Sequence, residues 1–273
     1  MRESVGILRS RRTRLGIALV VVVTLASAFC YVRATQVMPQ RAIFLLSDVR
    51  LPRAGQRVLV FSPHPDDETI GAGGYIRRCC DRGARVRIVL VTDGNKHNLE
   101  PRRYAEFKKA TWILGVPGDD LVFLGYPDGK MRKQSRSELR RVFAEQIVRF
   151  SPDVVVYPHR FDNHPDHAVV GDVMDAVLAR MNPEPASYQF LVHHSRFPQP
   201  KRLRQGMYVL PPVSLVSFDR EWRRLMLPER VEGDKLQAVR CYRTQLRVPL
   251  LRSLLLSCVR RNELFSVSGE DDP

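Results

Sequence analysis

Two short clusters carry the side chains of this sequence that are best suited to chemistry. The first runs His64-Pro65-Asp66-Asp67-Glu68, and the second runs His164-Pro165-Asp166-His167. Four ionisable side chains within five positions repel one another and resist burial unless a positive group holds them. A divalent metal is such a group. The two clusters therefore predict a metal site built from histidine and carboxylate.

These side-chain types favour a catalytic zinc, which has three protein ligands and one open position. The predicted ligands are His64, Asp67 and His167. Asp66 is then left beside the metal and can accept a proton from a bound water, whose pKa zinc lowers to about 7. His164, oriented or kept protonated by Asp166, can stabilise an oxyanion and protonate a leaving amine. This chemistry is the hydrolysis of an amide.

Other readings of the clusters remain open at this point. An iron oxygenase uses two histidines and one carboxylate as well, and these ligand types also accept iron or cobalt. That reading gives Asp66, His164 and Asp166 no role. A single cluster could also be a helix cap with a hydrogen-bonded histidine, but two such clusters, each after an apolar run, argue against coincidence.

The five cysteines give no metal signature, because none of them forms a C-x-x-C pair. Any metal must therefore be held by histidine and carboxylate. A disulfide between Cys241 and Cys258 in an oxidising compartment is left open, since spacing alone cannot support it.

Apolar runs at 58–61 and 154–157 precede the two clusters and are typical of buried strands. Strand-like and helix-like segments alternate from residue 57 to about residue 178, which predicts parallel strands with helices on both faces. In such sheets, ligands bind at the carboxyl ends of the strands. The sequence thus predicts a Rossmann-like α/β fold with a mostly parallel sheet, preceded by one N-terminal transmembrane helix.

The N-terminal segment predicts membrane targeting. Residues 2–14 contain five arginines and one glutamate, and residues 15–32 contain no charge. An 18-residue helix spans about 27 Å, close to the ~30 Å hydrocarbon core of a bilayer. We interpret 1–14 as a basic cytoplasmic region and 15–32 as a signal anchor or transmembrane helix of the bacterial cytoplasmic membrane, with the rest outside the cytoplasm. The alternative is secretion after cleavage near Ala28.

The remaining boundaries follow from composition. Residues 33–56 are predicted to be a linker, 57–265 the catalytic domain, and 266–273 a disordered tail. The net charge is +15, and the segment 196–261 has 15 Lys or Arg against 5 Asp or Glu. This excess favours an anionic partner. Nucleic acid is not expected, because basic residues do not alternate with aromatic ones in any motif.

The motifs resemble those of the LmbE-like or PIG-L family of zinc-dependent de-N-acetylases. The resemblance rests on residues 62–68 and 163–167, with support from the segments Thr92-Asp93-Gly94 and Tyr126-Pro127-Asp128 and from Arg103. It implies zinc ligands at His64, Asp67 and His167, a general base at Asp66, and an acid or electrophile at His164 paired with Asp166. Arg103 and Asp93 become candidates for binding substrate.

The resemblance further implies a hydrolase that removes the acetyl group from an N-acetylated amino sugar, in a glycolipid, glycoside or glycan of N-acetylglucosamine type. Together with the anchor and the basic segment, it predicts a lipid-linked or anionic substrate at the membrane. Two alternatives are a non-catalytic carbohydrate- or membrane-binding module and a deacetylase of a small thiol-sugar conjugate. His193 and His194 are expected to flank the cleft without an assigned role.

Overall fold

A computed structural model describes residues 2–35, 38–95, 98–217 and 221–267. It divides into two compact units, Met1–Pro39 and Gln40–Pro273. The first unit is the helix α1 (Arg2–Thr35). Its segment Thr13–Val32 has a mean hydropathy of 2.5 and is long and apolar enough to cross a membrane, a property that signal sequences share. The apolar helix is thus present, and its insertion into a membrane stays a prediction.

The second unit contains a mixed sheet, with seven strands among the described residues, in the order β3-β2-β1-β4-β5-β7-β6. The strands are β1 (Arg57–Ser62), β2 (Arg85–Thr92), β3 (Leu121–Tyr126), β4 (Val154–Pro158), β5 (Ala186–Phe190), β6 (Glu221–Met226) and β7 (Asn262–Val267). The first five strands are parallel, whereas β7 is antiparallel to both β5 and β6. The predicted α/β class is confirmed, with antiparallel pairing at one edge.

Helices cover both faces of the sheet. They are α2 (Asp67–Asp81), α3 (Glu100–Ile113), α4 (Arg136–Phe150), α5 (Pro165–Leu178), α6 (Glu229–Val239), α7 (Arg243–Leu246) and α8 (Pro249–Ser257). Side chains alternate between the faces along β1: Val58 and Val60 pack in the core with α2, α3 and α6, while Leu59 and Phe61 pack in the core with α4 and α5. Each face therefore has its own apolar core.

The chain changes direction across the sheet between β1 and β4. These strands are neighbours, with Val60 opposite Val156, but β1 leads through α2 to β2 on one side, and β4 leads through α5 to β5 on the other. The two connections diverge and leave a crevice at the carboxyl ends of β1 and β4, where ligands bind in this type of sheet.

One glycine allows α5 to approach the end of β4. A Cβ atom on Gly171 would lie 2.6 Å from the carbonyl oxygen of Pro158 and 2.7 Å from the backbone nitrogen of Arg160. Backbone atoms cannot move aside as a flexible side chain can. Glycine therefore sets the separation between α5 and the segment that follows β4.

A buried carboxylate stabilises a kink in α2. Ala72 has non-helical dihedrals (φ −141°, ψ 15°), so the helix restarts after it and frees backbone N–H groups. The N–H groups of Gly74 and Tyr75 donate to the carboxylate of Glu263 at 2.6 and 2.7 Å. The buried ammonium of Lys235 donates to the same carboxylate at 2.6 Å. Strand β7 and helix α6 are thereby tied to α2.

Two predicted boundaries differ from the structure. Within the predicted linker, Ile43 and Val49 are buried, and the backbone N–H of Val49 donates to Arg224 in β6. The physical reason is that β6 forms the sheet's edge and pairs with this segment. At the other end, Ser266 and Val267 are buried in β7 rather than in a tail, because β7 lies between two strands. The rest of the predicted tail, 268–273, lies outside the described residues.

Candidate active site

The two clusters meet at the crevice because each one starts a helix directly after a strand. His64 follows β1, and Asp67 is the first residue of α2. His164 is the N-cap of α5, with Pro165 in its first turn, and His167 lies one position further than Asp166 in the same turn. Parallel strands thus bring together residues one hundred positions apart in sequence.

The carboxylate of Asp67 lies between the other two predicted metal ligands, His64 and His167. Its Oδ2 atom lies 3.0 Å from Nδ1 of His64 and 2.9 Å from Nε2 of His167. The backbone N–H of His64 also donates to it at 2.9 Å. Burial alone would raise the pKa of Asp67, but the two imidazoles outweigh it and hold the pKa well below its usual value. Asp67 is therefore a charged carboxylate between two imidazoles.

The donor set fits a divalent transition metal. Among the described residues, three overlapping groups have ligand atoms within 4.8 Å of one another: His64 with His164 and His167, Asp67 with His167 and His193, and His64 with Asp128 and Asp166. Both ring nitrogens of His167 are buried and make no hydrogen bond of good geometry to a described residue. Imidazole and carboxylate are the ligand types that zinc, iron and cobalt accept.

Asp66 combines strained backbone with a perturbed carboxyl. Its φ of 138° is rare for a residue with a side chain, and such strain is found most often at functional sites. Its Oδ2 atom lies 3.5 Å from Nη2 of Arg103. Burial raises the pKa of Asp66 to about 8 against the opposing charge of Arg103. A carboxylate with a raised pKa accepts a proton more readily.

His164 presents one ring nitrogen to the crevice. The backbone N–H of Asp166 donates to its Nδ1 at 3.3 Å, so the neutral ring carries its proton on Nε2. Its ring centroid lies 4.7 Å from that of His64. Burial, followed by the charges of His64 and His167, lowers the pKa of His164 to about 4. At neutral pH His164 is therefore a hydrogen-bond donor without charge.

The carboxylate of Asp166 does not pair with His164 as the sequence suggested. Its oxygens accept from the backbone N–H groups of Gly129 and Met131 at 2.7 and 3.1 Å, and one lies 3.1 Å from Nε2 of His64. The residue starts α5 with its side chain turned towards the loop after β3. It therefore orients His64, and only its backbone contacts His164.

The two candidate substrate residues have structural partners. Arg103 is buried; its Nη1 donates to Gly94 and to the carboxylate of Asp128, and its Nη2 donates to Pro65. Asp93 accepts from the backbone N–H of Asp128 at 3.0 Å. Both residues hold the loops around the cluster, and whether either contacts substrate stays a prediction.

Three further residues join the site without having been given a role from sequence. Asp128 lies 3.4 Å from Nε2 of His64, and the ring of His193 lies 4.8 Å from that of His167. Asp162 lies 3.3 Å from Nδ1 of His167. Each of the three lies shortly after the carboxyl end of a strand. That position is the feature of the sequence from which they could have been predicted to lie in the site.

Comparison with known proteins agrees with the site. Residues 59–178 match the family model described as PIG-L: GlcNAc-PI de-N-acetylase. The resemblance drawn from the two histidine motifs is thereby confirmed. The matched region contains both clusters, most of β1 and the strands β2 to β4.

Two curated relatives are named deacetylases. The Bacillus anthracis protein named Probable N-acetyl-alpha-D-glucosaminyl L-malate deacetylase 2 is 32% identical in an alignment over 149 residues that covers 49% of this chain and 65% of the relative. The match therefore spans just under two thirds of that relative. The Gordonia bronchialis 1D-myo-inositol 2-acetamido-2-deoxy-alpha-D-glucopyranoside deacetylase is 28% identical in an alignment over 242 residues that covers 70% of this chain and 84% of the relative.

A solved structure shares the fold. N,N'-diacetylchitobiose deacetylase from Pyrococcus horikoshii superposes with a TM-score of 0.56 at 22% identity, covering 88% of this chain and 91% of that one. At this identity the likeness concerns the fold alone. The sheet and its helices therefore have the arrangement of a known fold.

Proposed function

We propose, on the premise that residues 59–178 form a PIG-L family region, that this chain is a metal-dependent hydrolase that removes the acetyl group from an N-acetylated amino sugar. One observation carries the proposal: the carboxylate of Asp67 contacts both His64 and His167 within 3.0 Å. Asp66 and His164 flank this group in the same crevice. The names of the two relatives, both deacetylases of acetylated amino sugars, support the substrate class.

We propose His64, Asp67 and His167 as the residues that hold the metal, with zinc as the expected ion. When bound, a divalent metal supplies a Lewis acid that polarises the amide and lowers the pKa of water. Asp128 and Asp166 keep His64 oriented through its Nε2 atom. Such partners of a ligating histidine raise its basicity and fix its ring.

Two side chains then move or hold protons. Asp66 accepts the proton of the attacking water, and Arg103, 3.5 Å away, restrains its carboxylate. His164 donates a hydrogen bond from Nε2 to the amide oxygen as negative charge develops there. The proton taken up by Asp66 is available for the leaving amine. Removing the hydrogen-bond donor from such a site typically costs about 10²-fold or more in kcat.

The sugar acceptor and the location are parts of the same proposal. The chain matches most of the Gordonia inositol-glycoside deacetylase, which favours a small glycoside as the first substrate to examine. The apolar helix Thr13–Val32 favours an anchor in the cytoplasmic membrane with the catalytic unit outside the cytoplasm. A lipid-linked N-acetylglucosamine is the second candidate, since an anchored enzyme would meet it at the membrane surface.

The test is acetate release by the full-length chain, purified in detergent and loaded with zinc, from a panel of N-acetylglucosamine glycosides and glycolipids. Asp66→Asn removes the base while keeping the shape, and asparagine tolerates positive φ better than alanine does. We expect a loss of at least about 10²-fold with bound zinc unchanged. The exposed Asp172→Asn on α5 is the matched control. Full activity in Asp66→Asn would contradict the assignment of the base.

A further inference from the structure

A cavity of about 510 Å³ adjoins the histidine cluster on the side of β5. Its lining residues are Asn163, His193, His194, Ser195, Phe197, Lys201, Leu250, Ser253 and Leu254. It reaches the reaction site through His193, whose ring lies 4.8 Å from that of His167 and 5.2 Å from that of His164. Asn163 directly precedes His164. The volume is that of a small-ligand site.

Three of the lining residues are apolar. Phe197 comes from the loop after β5, and Leu250 and Leu254 come from α8. Leu250 is 84% exposed. An exposed leucine beside a phenylalanine and a second leucine can bury the alkyl part of a ligand.

The cavity also contains the ammonium group of Lys201. Nζ of Lys201 donates to the carbonyl oxygen of Phe197 at 2.9 Å. No carboxylate of a described residue lies within 4.0 Å of it. Burial lowers the pKa of Lys201, the Cys258 thiol opposes this, and the positive charge of Arg260 lowers the pKa further. The lysine is thus partly desolvated next to a second cation.

That second cation is held by backbone carbonyl groups among the described residues. Arg260 is fully buried, and its guanidinium donates to the carbonyl oxygens of Pro200, Arg202 and Val259. Its Nε makes no hydrogen bond to a described residue, and the nearby Glu232 carboxylate offsets part of its charge. Lys201 is therefore the cation that lines the cavity, and the charge of Arg260 adds to the positive potential around it, which favours an anion there.

We propose that this cavity binds the aglycone of the substrate and that Lys201 recognises an anionic group on it, either a carboxylate or a phosphate, at the end of a short alkyl segment packed on Leu250 and Leu254. The inference rests on the proposed function, since it places the sugar at the histidines and the aglycone in the cavity. It makes Lys201 a specificity-determining residue.

The test compares three N-acetylglucosamine glycosides of similar length, the propyl, 2-carboxyethyl and 2-phosphoethyl glycosides, with the full-length zinc-loaded chain. We expect the wild type to have a kcat/KM at least about tenfold higher for one or both anionic glycosides than for the propyl glycoside. Lys201→Met should remove most of this preference and change kcat/KM for the propyl glycoside less than about twofold. A higher kcat/KM for one anionic glycoside than for the other identifies whether the site recognises a carboxylate or a phosphate.

Two matched variants separate charge from structure. Lys201→Arg keeps the charge and should keep part of the preference, and Lys109→Met removes an exposed lysine on α3 and should leave the preference intact. Melting temperatures check that each variant folds. The proposal is overturned if the wild type shows no preference for either anion, or if Lys201→Met lowers kcat/KM equally for all three glycosides.

A failure of the proposed function looks different. In that case the zinc-loaded wild type releases no acetate from any glycoside. Calorimetric titration of the same three glycosides into wild type and Lys201→Met then tests the cavity alone. Binding of an anionic glycoside that weakens about tenfold in Lys201→Met supports the site, and equal binding of all three glycosides overturns it.

Discussion

Asp162 connects the histidines of the site to the backbone around them. Its Oδ1 accepts from the N–H of His164 at 2.8 Å, and its Oδ2 accepts from the N–H groups of Val192 and His193 at 3.0 and 2.9 Å. The same Oδ2 lies 3.3 Å from Nδ1 of His167. Burial would raise the pKa of Asp162, but His167 outweighs it and lowers the pKa. A carboxylate in this position fixes a histidine as a ligand.

We therefore expect Asp162→Asn to weaken metal binding by about 10- to 100-fold, because the amide cannot accept from all these donors or stabilise His167 in the same way. The measurement is a competitive zinc titration with a chromophoric chelator. Asp172→Asn, an exposed substitution on α5, should bind zinc like the wild type. Unchanged zinc affinity in Asp162→Asn would show that Asp162 is not needed to orient His167.

The contacts of single residues were predictable only in part. His64, Asp67 and His167 could be placed together because each follows a strand, and parallel strands end at one edge. The partner of Asp166 could not be predicted, since its oxygens bind the loop after β3, whose path depends on tertiary packing. Asp162 was unassigned for the same reason: its role depends on backbone N–H groups about thirty residues later.

At the scale of elements, the close packing of α5 on the end of β4 requires a residue without a side chain at position 171. Gly171→Ala places a methyl group within 2.6 and 2.7 Å of backbone atoms, so α5 must shift away from the strand. We expect a loss of about 1–3 kcal/mol in the free energy of unfolding, measured by urea denaturation. Activity should fall as well, because His167 moves with the helix.

The control is a second helical glycine. A Cβ atom added to Gly233 in α6 would meet no atom within 4 Å, so Gly233→Ala should increase stability by about 0.5–1 kcal/mol. The two substitutions add the same atom and differ only in surroundings. Equal effects on stability would contradict the close approach at Gly171.

Asp120 joins two adjacent elements through charge. Its carboxylate accepts from Arg85 at 2.8 Å and from Arg87 at 2.8 Å, both in β2, from its position just before β3. Burial raises the pKa of Asp120, but these hydrogen bonds outweigh burial, so its pKa is below the usual value. The unfolded chain therefore binds a proton at higher pH than the folded one, and this contribution to stability is present at neutral pH and is lost as the pH falls below about 4.

We expect Asp120→Asn to lower the free energy of unfolding by about 1 kcal/mol at pH 7, a modest value because Arg85 is largely exposed. The difference from wild type should shrink between about pH 4 and pH 2, where the wild-type carboxyl becomes protonated. Thermal unfolding across this range measures it. The exposed neighbour variant Asp119→Asn should follow the wild-type curve, and a difference that stays constant with pH would rule out this linkage.

The parallel half of the sheet was predictable because apolar runs alternate with amphipathic segments from β1 to α5. The edge formed by β6 and β7 was not. Residues such as Arg223 and Glu263 interrupt the apolar pattern there, and β7 is held by long-range pairing with β5 and β6. The segment 33–56 was assigned to a linker because of its mixed composition, and the burial of Ile43 and Val49 within it depends on contacts with β6 that are distant in sequence.

At the scale of the whole molecule, the division at Pro39 predicts that the second unit folds without the first. We expect residues 40–273 expressed alone to melt within about 2 °C of the full chain, since both large cores lie beyond residue 48. The full chain should sediment with membranes at high salt and be released by detergent, because Thr13–Val32 is long enough to span them.

The contrary outcomes are informative about location. A mature N-terminus near residue 29, found by mass spectrometry, would replace the anchor with a cleaved signal. An unfolded 40–273 fragment would show that the first unit contributes to stability. Equal partition of both forms into the soluble fraction would exclude the membrane part of the proposal.

The bond between Glu263 and the kink of α2 has a consequence for protein synthesis. Every predicted ligand and catalytic side chain lies between residues 64 and 167, so a ribosome has made all of them long before it reaches position 263. Yet the N–H groups of Gly74 and Tyr75 receive their acceptor from a residue 189 and 188 positions later. A nascent or truncated chain can therefore contain the whole catalytic motif while α2, which begins with Asp67, lacks the partner that fixes its shape.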